Sequence, residues 1–202
     1  MKAIIMDIDG TMVNTTLNWG EMRAALERLL GTKLSSEPVA SQLLKIPPEK
    51  LREVERTIHF YEKESIAGVS RDDELYEIIK RLREAGVKIG VVTLRSRDTA
   101  EPLLKALGLM ELTDCLITRE DSLYRRDQLK IALEQLGVST DDAVFIGDIE
   151  EDKAAGQVIG IETKIIRDKG DAPGVPNELK DILKNFLRNS TPYSRRKASP
   201  DI

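Results

Sequence analysis

Two aspartates separated by one residue, Asp7 and Asp9, follow a short apolar run in the opening sequence MKAIIMDIDGT. A carboxylate at the end of a buried strand costs free energy unless a cation or a hydrogen-bond donor compensates its charge. A second acidic group, which contains Asp148 and Asp152, follows a later apolar run in the sequence FIGDIEED. The two groups point to a cation held between carboxylates, provided that the fold brings them together.

Short apolar runs alternate with amphipathic helical patterns along most of the chain. The runs lie at residues 3–6, 87–92, 115–117, 143–146 and 161–166. Short, nearly continuous apolar runs are typical of strands buried on both faces. Strands that alternate with helices indicate a parallel sheet with right-handed crossovers. The sequence therefore predicts an α/β fold with a doubly wound parallel sheet.

One region between the first and second runs has helical patterns and no strand pattern. We predict that residues 15–69 form a small all-helical cap, inserted after strand 1 into an α/β core of residues 1–14 and 70–187. Trp19 begins an apolar helical stripe in this region, so we expect it in the cap core. Residues 188–202 lack an apolar face and are predicted to be a disordered tail.

The carboxyl ends of parallel strands lie at the same edge of a sheet, and ligands bind there. Asp7 and Asp9, Thr93, and Asp148 with Asp152 follow three different predicted strands. Clustered carboxylates repel one another unless a cation lies among them. Ligands that offer only oxygen favour a hard ion, so the sequence predicts a Mg²⁺ site at this edge.

The same edge is expected to bind a phosphate group. The Thr93 hydroxyl and the backbone N–H groups beside it suit phosphate oxygens. Arg125 and Arg126 precede a helix at the same edge and would supply positive charge for an anionic substrate. Arg95 is expected to face solvent.

These motifs occur in an order that resembles the haloacid dehalogenase superfamily of phosphohydrolases. DIDGT resembles the first motif of that superfamily, VVT the second and GDIEED the metal-binding fourth, and the resemblance covers about residues 1–187. The helical insertion resembles the small cap of the phosphoglycolate-phosphatase-like branch. The resemblance implies a Rossmann-like core and a Mg²⁺-dependent phosphatase for a small phosphorylated metabolite, with phosphoglycolate as the leading substrate.

The resemblance also implies a role for each acidic residue. Asp7 would attack phosphorus and form an aspartyl-phosphate, and Asp9 would act as general acid and then as general base. Mg²⁺ would be held by Asp7, the backbone carbonyl of Asp9 and Asp148. Asp152 or Glu151 would orient water molecules bound to the metal ion.

The substrate-binding residues implied by the resemblance are Gly10, Thr93 and the N–H of Leu94. The sequence departs from the family at the third motif, which is usually a lysine at the start of the helix after strand 3. That segment reads SLYRRDQLKIAL, and the alignment puts Arg125 in the place of the lysine. Arg126 and Lys130 stay open as replacements.

Three other functions stay open at this stage. A phosphosugar mutase of the same superfamily would retain Asp9. A receiver-like protein would accept a phosphoryl group on Asp7 without hydrolysing it, and a degenerate relative would bind phosphate without catalysis. Asp9 and the predicted lid favour the phosphatase over the receiver.

Bulk composition excludes several classes of protein. The chain has 202 residues, 41% of them hydrophobic, and a formal net charge of −4, so it indicates a globular fold without general affinity for nucleic acid or membrane surfaces. One cysteine excludes a disulfide framework within the chain. No apolar stretch is long enough to span a membrane and no secretory signal is apparent, so we expect a cytoplasmic protein. We also expect a monomer or weak homodimer.

Overall fold

The computed structural model describes residues 1–35, 37–170 and 173–190. Its centre is one sheet of five parallel strands in the order β3-β2-β1-β4-β5. The strands are β1 (Ala3–Met6), β2 (Lys88–Val92), β3 (Cys115–Ile117), β4 (Ala143–Gly147) and β5 (Glu162–Ile165). The predicted fold class, an α/β fold with a doubly wound parallel sheet, is confirmed.

The order of the strands creates a crevice beside β1. The chain builds the sheet outward from β1 through β2 to β3, then crosses to β4 on the other side of β1 and continues to β5. Ala3 is aligned with Lys88 of β2 and with Ala143 of β4. The direction of growth reverses between β1 and β4, which is the usual ligand site of such sheets.

Seven α-helices accompany the sheet among the described residues. They are α1 (Trp19–Leu30), α2 (Pro48–Glu64), α3 (Asp73–Glu84), α4 (Arg97–Ala106), α5 (Arg125–Leu136), α6 (Glu150–Ile159) and α7 (Asn177–Ser190). Local sequence sets several of their ends. The Asp72 side chain accepts from the N–H of Leu75 and caps α3, while Gly137 ends α5 in the left-handed conformation.

Strands β1 to β4 bury apolar side chains on both faces, whereas β5 lies at the edge and has no buried residue, unlike the buried strand that its apolar run predicts. Ile4 and Met6 of β1 point into a cluster that includes residues of α3, α4 and α7. Ala3 and Ile5 point into a second cluster, which includes residues of α5. The alternation follows from the two-residue period of a strand. Because both faces are covered, the crevice at the carboxyl edge is where polar side chains collect.

The segment between β1 and α3 contains α1, α2 and a short 3₁₀ helix at Ala40–Lys45. Its apolar side chains form a third cluster, which includes Met22, Leu26, Val54 and Ile58. We call residues 15–69 the insertion; its division from the core as a separate cap stays a prediction. The expectation for Trp19 is wrong, because this side chain is 51% exposed.

The carboxyl-terminal boundary differs from the predicted one. Helix α7 continues to Ser190, so residues 188–190 are helical, although the sequence assigned them to the tail. The helix is strongly amphipathic, and Leu179, Leu183 and Leu187 are buried against the core. The rest of the predicted tail, residues 191–202, lies outside the described residues. Within the described part of the chain, no helix is both long and apolar enough to cross a membrane.

Candidate active site

Three carboxylates meet at the crevice between β1 and β4. Asp7 directly follows β1, and Asp148 and Asp152 lie in the turn after β4 and the start of α6. Carboxylate oxygens of these residues lie within 4.8 Å of one another. Asp7 is 6% exposed and Asp152 is fully buried. This group of oxygen donors could hold a metal ion.

Arg125 connects two of these carboxylates. Its Nη2 lies 2.8 Å from Asp7 Oδ2, its Nε lies 2.8 Å from Asp152 Oδ1, and its Nη1 donates to Gln128 Oε1 at 2.8 Å. The side chain of Arg125 is 9% exposed. A guanidinium can make all three bonds at once because its donors form a planar fork. Arg125 therefore supplies positive charge to both Asp7 and Asp152.

The two other cations proposed for this role lie elsewhere. The side chain of Arg126 is 56% exposed and pairs with Asp127. The side chain of Lys130 is 62% exposed and lies 4.0 Å from the same Asp127. Neither contacts the three carboxylates, so of the three candidates only Arg125 lies at the cluster; its role in place of the expected lysine stays a prediction.

Asp152 organises the turn that carries Asp148. Its Oδ2 accepts from the N–H of Asp148 at 3.1 Å and from that of Ile149 at 3.4 Å. A Cβ at Gly147 would lie 2.3 Å from Asp152 Oδ2, so the turn needs glycine there. Glu151, the other residue considered for this role, is exposed.

Lys169 is a site residue that sequence reasoning missed. Its Nζ lies 2.6 Å from Asp148 Oδ2, and Thr11 Oγ1 is 3.5 Å from Asp148 Oδ1. The Asn14 side chain donates to the backbone carbonyl of Lys169. The signal available in the sequence was a lysine shortly after the fifth predicted strand, at the same edge as the carboxylates.

Gly10 lies against this pair. It has a φ of +75°, and a Cβ there would lie 2.3 Å from Asp148 Oδ2 and 3.0 Å from Lys169 Nζ. The glycine of the first motif therefore lets the backbone after β1 approach Asp148 closely.

Burial is the main influence on the pKa values of the clustered carboxyl groups. Burial raises the pKa of Asp7 well above its usual value; Arg125 opposes this shift, and the neighbouring Asp152, Asp148 and Asp9 add to it. Burial also raises the pKa of Asp148, against the hydrogen bond from Lys169. A further cation among these oxygens would favour the ionised carboxylates.

Thr93 closes β2 next to the cluster and is 1% exposed. Its Oγ1 accepts from the N–H of Arg95 at 3.1 Å, and its carbonyl accepts from Gln128 Nε2 at 2.8 Å. Gln128 belongs to the first turn of α5, so the bond fixes that turn, and with it Arg125, against the end of β2. The carbonyl of Leu94 accepts from Arg119 Nη1 at 3.3 Å.

Asp9 is held apart from the three clustered carboxylates. Arg95 Nε lies 2.7 Å from Asp9 Oδ2, and Arg95 Nη2 lies 2.8 Å from Asp9 Oδ1. Thr15 Oγ1 is 3.4 Å from Asp9 Oδ1. The expectation that Arg95 faces solvent is wrong, because the residue is 1% exposed. Its burial is compensated by the carboxylate it binds.

Residues 4–166 match the haloacid dehalogenase-like hydrolase family, which is most of the chain. The chain therefore belongs to this family, as the sequence predicts. The putative pyrophosphatase PpaX of Clostridium perfringens is 30% identical over 81% of this chain and 82% of the relative. The pyrophosphatase PpaX of Halalkalibacterium halodurans is 26% identical over 82% and 83%. The chain is a hydrolase of the phosphatase type, which confirms the predicted enzyme class.

Solved structures of the family share the fold. A predicted phosphoglycolate phosphatase from Haemophilus somnus 129pt superposes with a TM-score of 0.65 at 19% identity, over 92% of this chain and 98% of that one. A putative β-phosphoglucomutase from Thermotoga maritima superposes with a TM-score of 0.61 at 17% identity, over 92% and 99%. At these identities, the likeness shows the fold alone.

Proposed function

We propose that the protein is a Mg²⁺-dependent phosphatase that hydrolyses a small phosphorylated metabolite through an aspartyl-phosphate on Asp7. The observation that carries the proposal is the surroundings of Asp7. This buried carboxylate lies 2.8 Å from the Arg125 guanidinium and within 4.8 Å of oxygens of Asp148 and Asp152. A buried nucleophile next to a fixed cation and further acidic groups suits transfer of a phosphoryl group.

The donor set fits Mg²⁺. Asp7, Asp148 and the backbone carbonyl of Asp9 would hold the ion, and Asp152 would orient the shell through its bonds to the turn at Asp148. Its ligands would all be oxygen atoms, and a cation among them would relieve the repulsion between the clustered carboxylates. When bound, the ion supplies positive charge that stabilises the transferring phosphoryl group.

The side chains support a two-step reaction. In the first step, an Asp7 oxygen forms a bond to phosphorus while the bond to the leaving oxygen breaks, and Asp9 gives that oxygen a proton. In the second step, Asp9 takes a proton from water as the water oxygen attacks phosphorus. The bond from Asp7 to phosphorus then breaks, which frees inorganic phosphate and regenerates both carboxyl groups.

The phosphoryl oxygens would be held by groups at the end of β2. The Thr93 hydroxyl and the N–H of Leu94 are the proposed donors. Arg125 would balance the charge of Asp7, and Gly10 would allow the substrate to approach the backbone after β1.

The substrate is proposed to be small. The insertion packs against the loop before α5 through Leu123, which joins the apolar cluster of α1 and α2. A lid of this kind can exclude water during chemistry. Phosphoglycolate is the substrate expected from the type of cap. The relatives named as pyrophosphatases make inorganic pyrophosphate the second substrate to test.

The test is phosphate release from pyrophosphate, phosphoglycolate, sugar phosphates and an aryl phosphate, with Mg²⁺ and with a chelator. We expect release that needs Mg²⁺ and is lost in Asp7→Asn. Asp181→Asn, which changes an exposed carboxylate on α7, is the matched control and should retain full activity. Folded protein that releases no phosphate from any compound would refute the proposal.

Two other outcomes would redirect the assignment. Conversion of a sugar 1-phosphate to its 6-phosphate without net release would indicate a phosphosugar mutase. A stable phosphoaspartate without turnover would indicate a phosphate-accepting protein of the receiver type. The cytoplasmic location and the monomeric or weakly dimeric state stay predictions.

A further inference from the structure

The last turns of α2 are anchored to the core through Glu62, which is 4% exposed. Its Oε2 accepts from Thr99 Oγ1 at 2.8 Å and from the N–H and hydroxyl of Ser96, both at 3.3 Å. Its Oε1 lies 2.5 Å from Arg119 Nη1. A buried carboxylate with this many donors has a fixed position. The end of the insertion is therefore fastened to the start of α4.

Arg95 connects this anchor to Asp9. Its Nη1 donates to the backbone carbonyl of Glu62 at 3.0 Å, and its Nη2 donates to Ser65 Oγ at 2.9 Å. The same guanidinium binds both carboxylate oxygens of Asp9. One buried side chain thus contacts the proposed acid/base residue and the end of α2.

This geometry constrains what Asp9 can do. An arginine stays protonated in proteins, so it can donate hydrogen bonds to Asp9 but cannot take a proton from it. With an N–H on each oxygen, the Asp9 carboxylate has one fixed orientation. To give a proton to a leaving group, Asp9 must loosen at least one of these bonds. That change alters the hydrogen bonding of Arg95, which also holds Glu62 and Ser65.

We infer that Arg95 is a positioning residue that couples the orientation of the Asp9 carboxylate to the position of the end of α2. While the end of α2 stays in this anchored position, Arg95 holds the Asp9 carboxylate in one orientation, so acid/base chemistry is matched to a docked insertion. The structural coupling stands on the contacts alone, while its catalytic meaning rests on the proposed function.

The first test measures the coupling in a way that does not depend on enzyme activity. Hydrogen exchange is followed at the amides of residues 65–67, which donate within the turns that end α2. Asp9→Asn removes the charged partner of Arg95, so the hydrogen bonds from Arg95 to Glu62 and Ser65 should weaken. We therefore expect these amides to exchange faster relative to amides of β1. Asp148→Asn is the matched control, because Asp148 is also a site carboxylate but has no hydrogen bond to Arg95, and it should leave them unchanged. Equal exchange in wild type and Asp9→Asn would overturn the coupling.

The second test reads the catalytic consequence. A poor alkoxide leaving group needs a proton from Asp9, whereas 2,4-dinitrophenolate leaves without one. In single-turnover experiments with Arg95→Met, we expect alcohol release from an alkyl phosphate to fall by about 100-fold and dinitrophenolate release to fall far less. Arg95→Lys keeps the charge and should restore part of the loss. Arg95 acting as a merely structural residue would slow both compounds equally, which would overturn its role toward Asp9.

The two tests separate the inference from the proposed function. Wild-type protein that is inactive on both compounds would refute the phosphatase assignment, and the exchange experiment would still decide the coupling. Wild-type activity with an unchanged ratio of the two rates in Arg95→Met would refute the role of Arg95 and leave the phosphatase assignment intact.

Discussion

Arg125 Nη2 lies 2.8 Å from Asp7 Oδ2, and both side chains are 9% exposed. The contact joins the proposed nucleophile to a cation that belongs to another strand–helix unit. Arg125 also holds Asp152 through its Nε. A lysine ammonium is a point charge and does not have this planar fork. The arginine in the third motif is therefore part of a bridge between two carboxylates.

Removal of this cation should abolish most activity. In Arg125→Met, the buried Asp7 carboxylate loses its nearest positive charge, and its pKa, which is already raised, should rise further. We expect kcat to fall by about 100-fold or more. Arg125→Lys keeps the charge but not the bridge, and its kcat should be intermediate. Steady-state kinetics at saturating Mg²⁺ measures both; an unchanged kcat in Arg125→Met would contradict the assignment.

Asp152 and Glu151 should differ sharply in their effect on Mg²⁺. Asp152→Asn keeps one acceptor oxygen for two sets of donors, so either Arg125 or the N–H groups of Asp148 and Ile149 lose their partner, and the turn that carries Asp148 should loosen. We expect the Mg²⁺ concentration for half-maximal activity to rise by about 10- to 100-fold. Glu151→Gln changes an exposed neighbour and should leave this Mg²⁺ concentration unchanged. The reverse order in Mg²⁺ titrations of the two variants would show that Glu151 is the orienting residue.

Gly10 and Gly31 form a matched pair of left-handed glycines. Their φ angles are +75° and +72°, but only at Gly10 would a Cβ meet other atoms, the nearest being Asp148 Oδ2 at 2.3 Å. Gly31→Ala should lower the free energy of unfolding by about 1–2 kcal/mol and leave activity unchanged. Gly10→Ala should also displace Asp148 and lower kcat/KM by about 100-fold. Urea unfolding and kinetics on both variants test this; equal kinetics would show that the close approach is unimportant.

Asp72 should stabilise the fold in a pH-dependent way. Burial acts to raise the pKa of its carboxyl, but the Lys180 hydrogen bond and the N–H of Leu75 outweigh it and lower that pKa below its ordinary value of 3.8. A carboxyl whose pKa is lower in the folded state stabilises the fold at pH values above its pKa in the unfolded state. This stabilisation is lost as the pH falls through its pKa in the folded state. We expect Asp72→Ala to lower the free energy of unfolding by about 1–2 kcal/mol at pH 7.

This difference from wild type should shrink as pH falls below 3.8 toward the lowered pKa of the folded carboxyl. Asp73→Ala removes the next acidic residue, whose side chain is 87% exposed and pairs with Arg71, so it should cost little at any pH. Denaturant unfolding at several pH values measures both variants. A difference for Asp72→Ala that stays constant down to the lowest pH would contradict the role of its charge.

The parts of the site that follow strands were predictable from the sequence. Asp7, Thr93 and Asp148 come directly after apolar runs, and parallel strands place their carboxyl ends at one edge. Sequence order and strand periodicity are sufficient for that inference. The sequence could not exclude Arg126 in favour of Arg125, because adjacent helical residues point in directions about 100° apart and only the packed helix shows which one faces the site.

Arg95 and Trp19 were wrongly predicted for a related reason. An arginine is usually exposed, and its burial here depends on Asp9 and on the insertion residues Glu62 and Ser65, which are distant from it in sequence. Trp19 starts an apolar stripe, but the first residue of a helix has no preceding turn to cover it. Partners that are remote in the chain decide the burial of Arg95, and position within the helix decides the exposure of Trp19; the apolar pattern alone reports neither.

The central place of β1 also has a consequence for synthesis of the chain. This strand precedes the other four in the sequence, yet Ala3 is aligned with Lys88 on one side and with Ala143 on the other. Pairings of such long sequence separation form slowly, because a large loop must close before they give any stabilisation. The strand that leads to Asp7 therefore has no partner on either edge until β2 and β4 have been synthesised. The apolar segment Ala3–Met6 therefore needs protection from aggregation until its partner strands have been made.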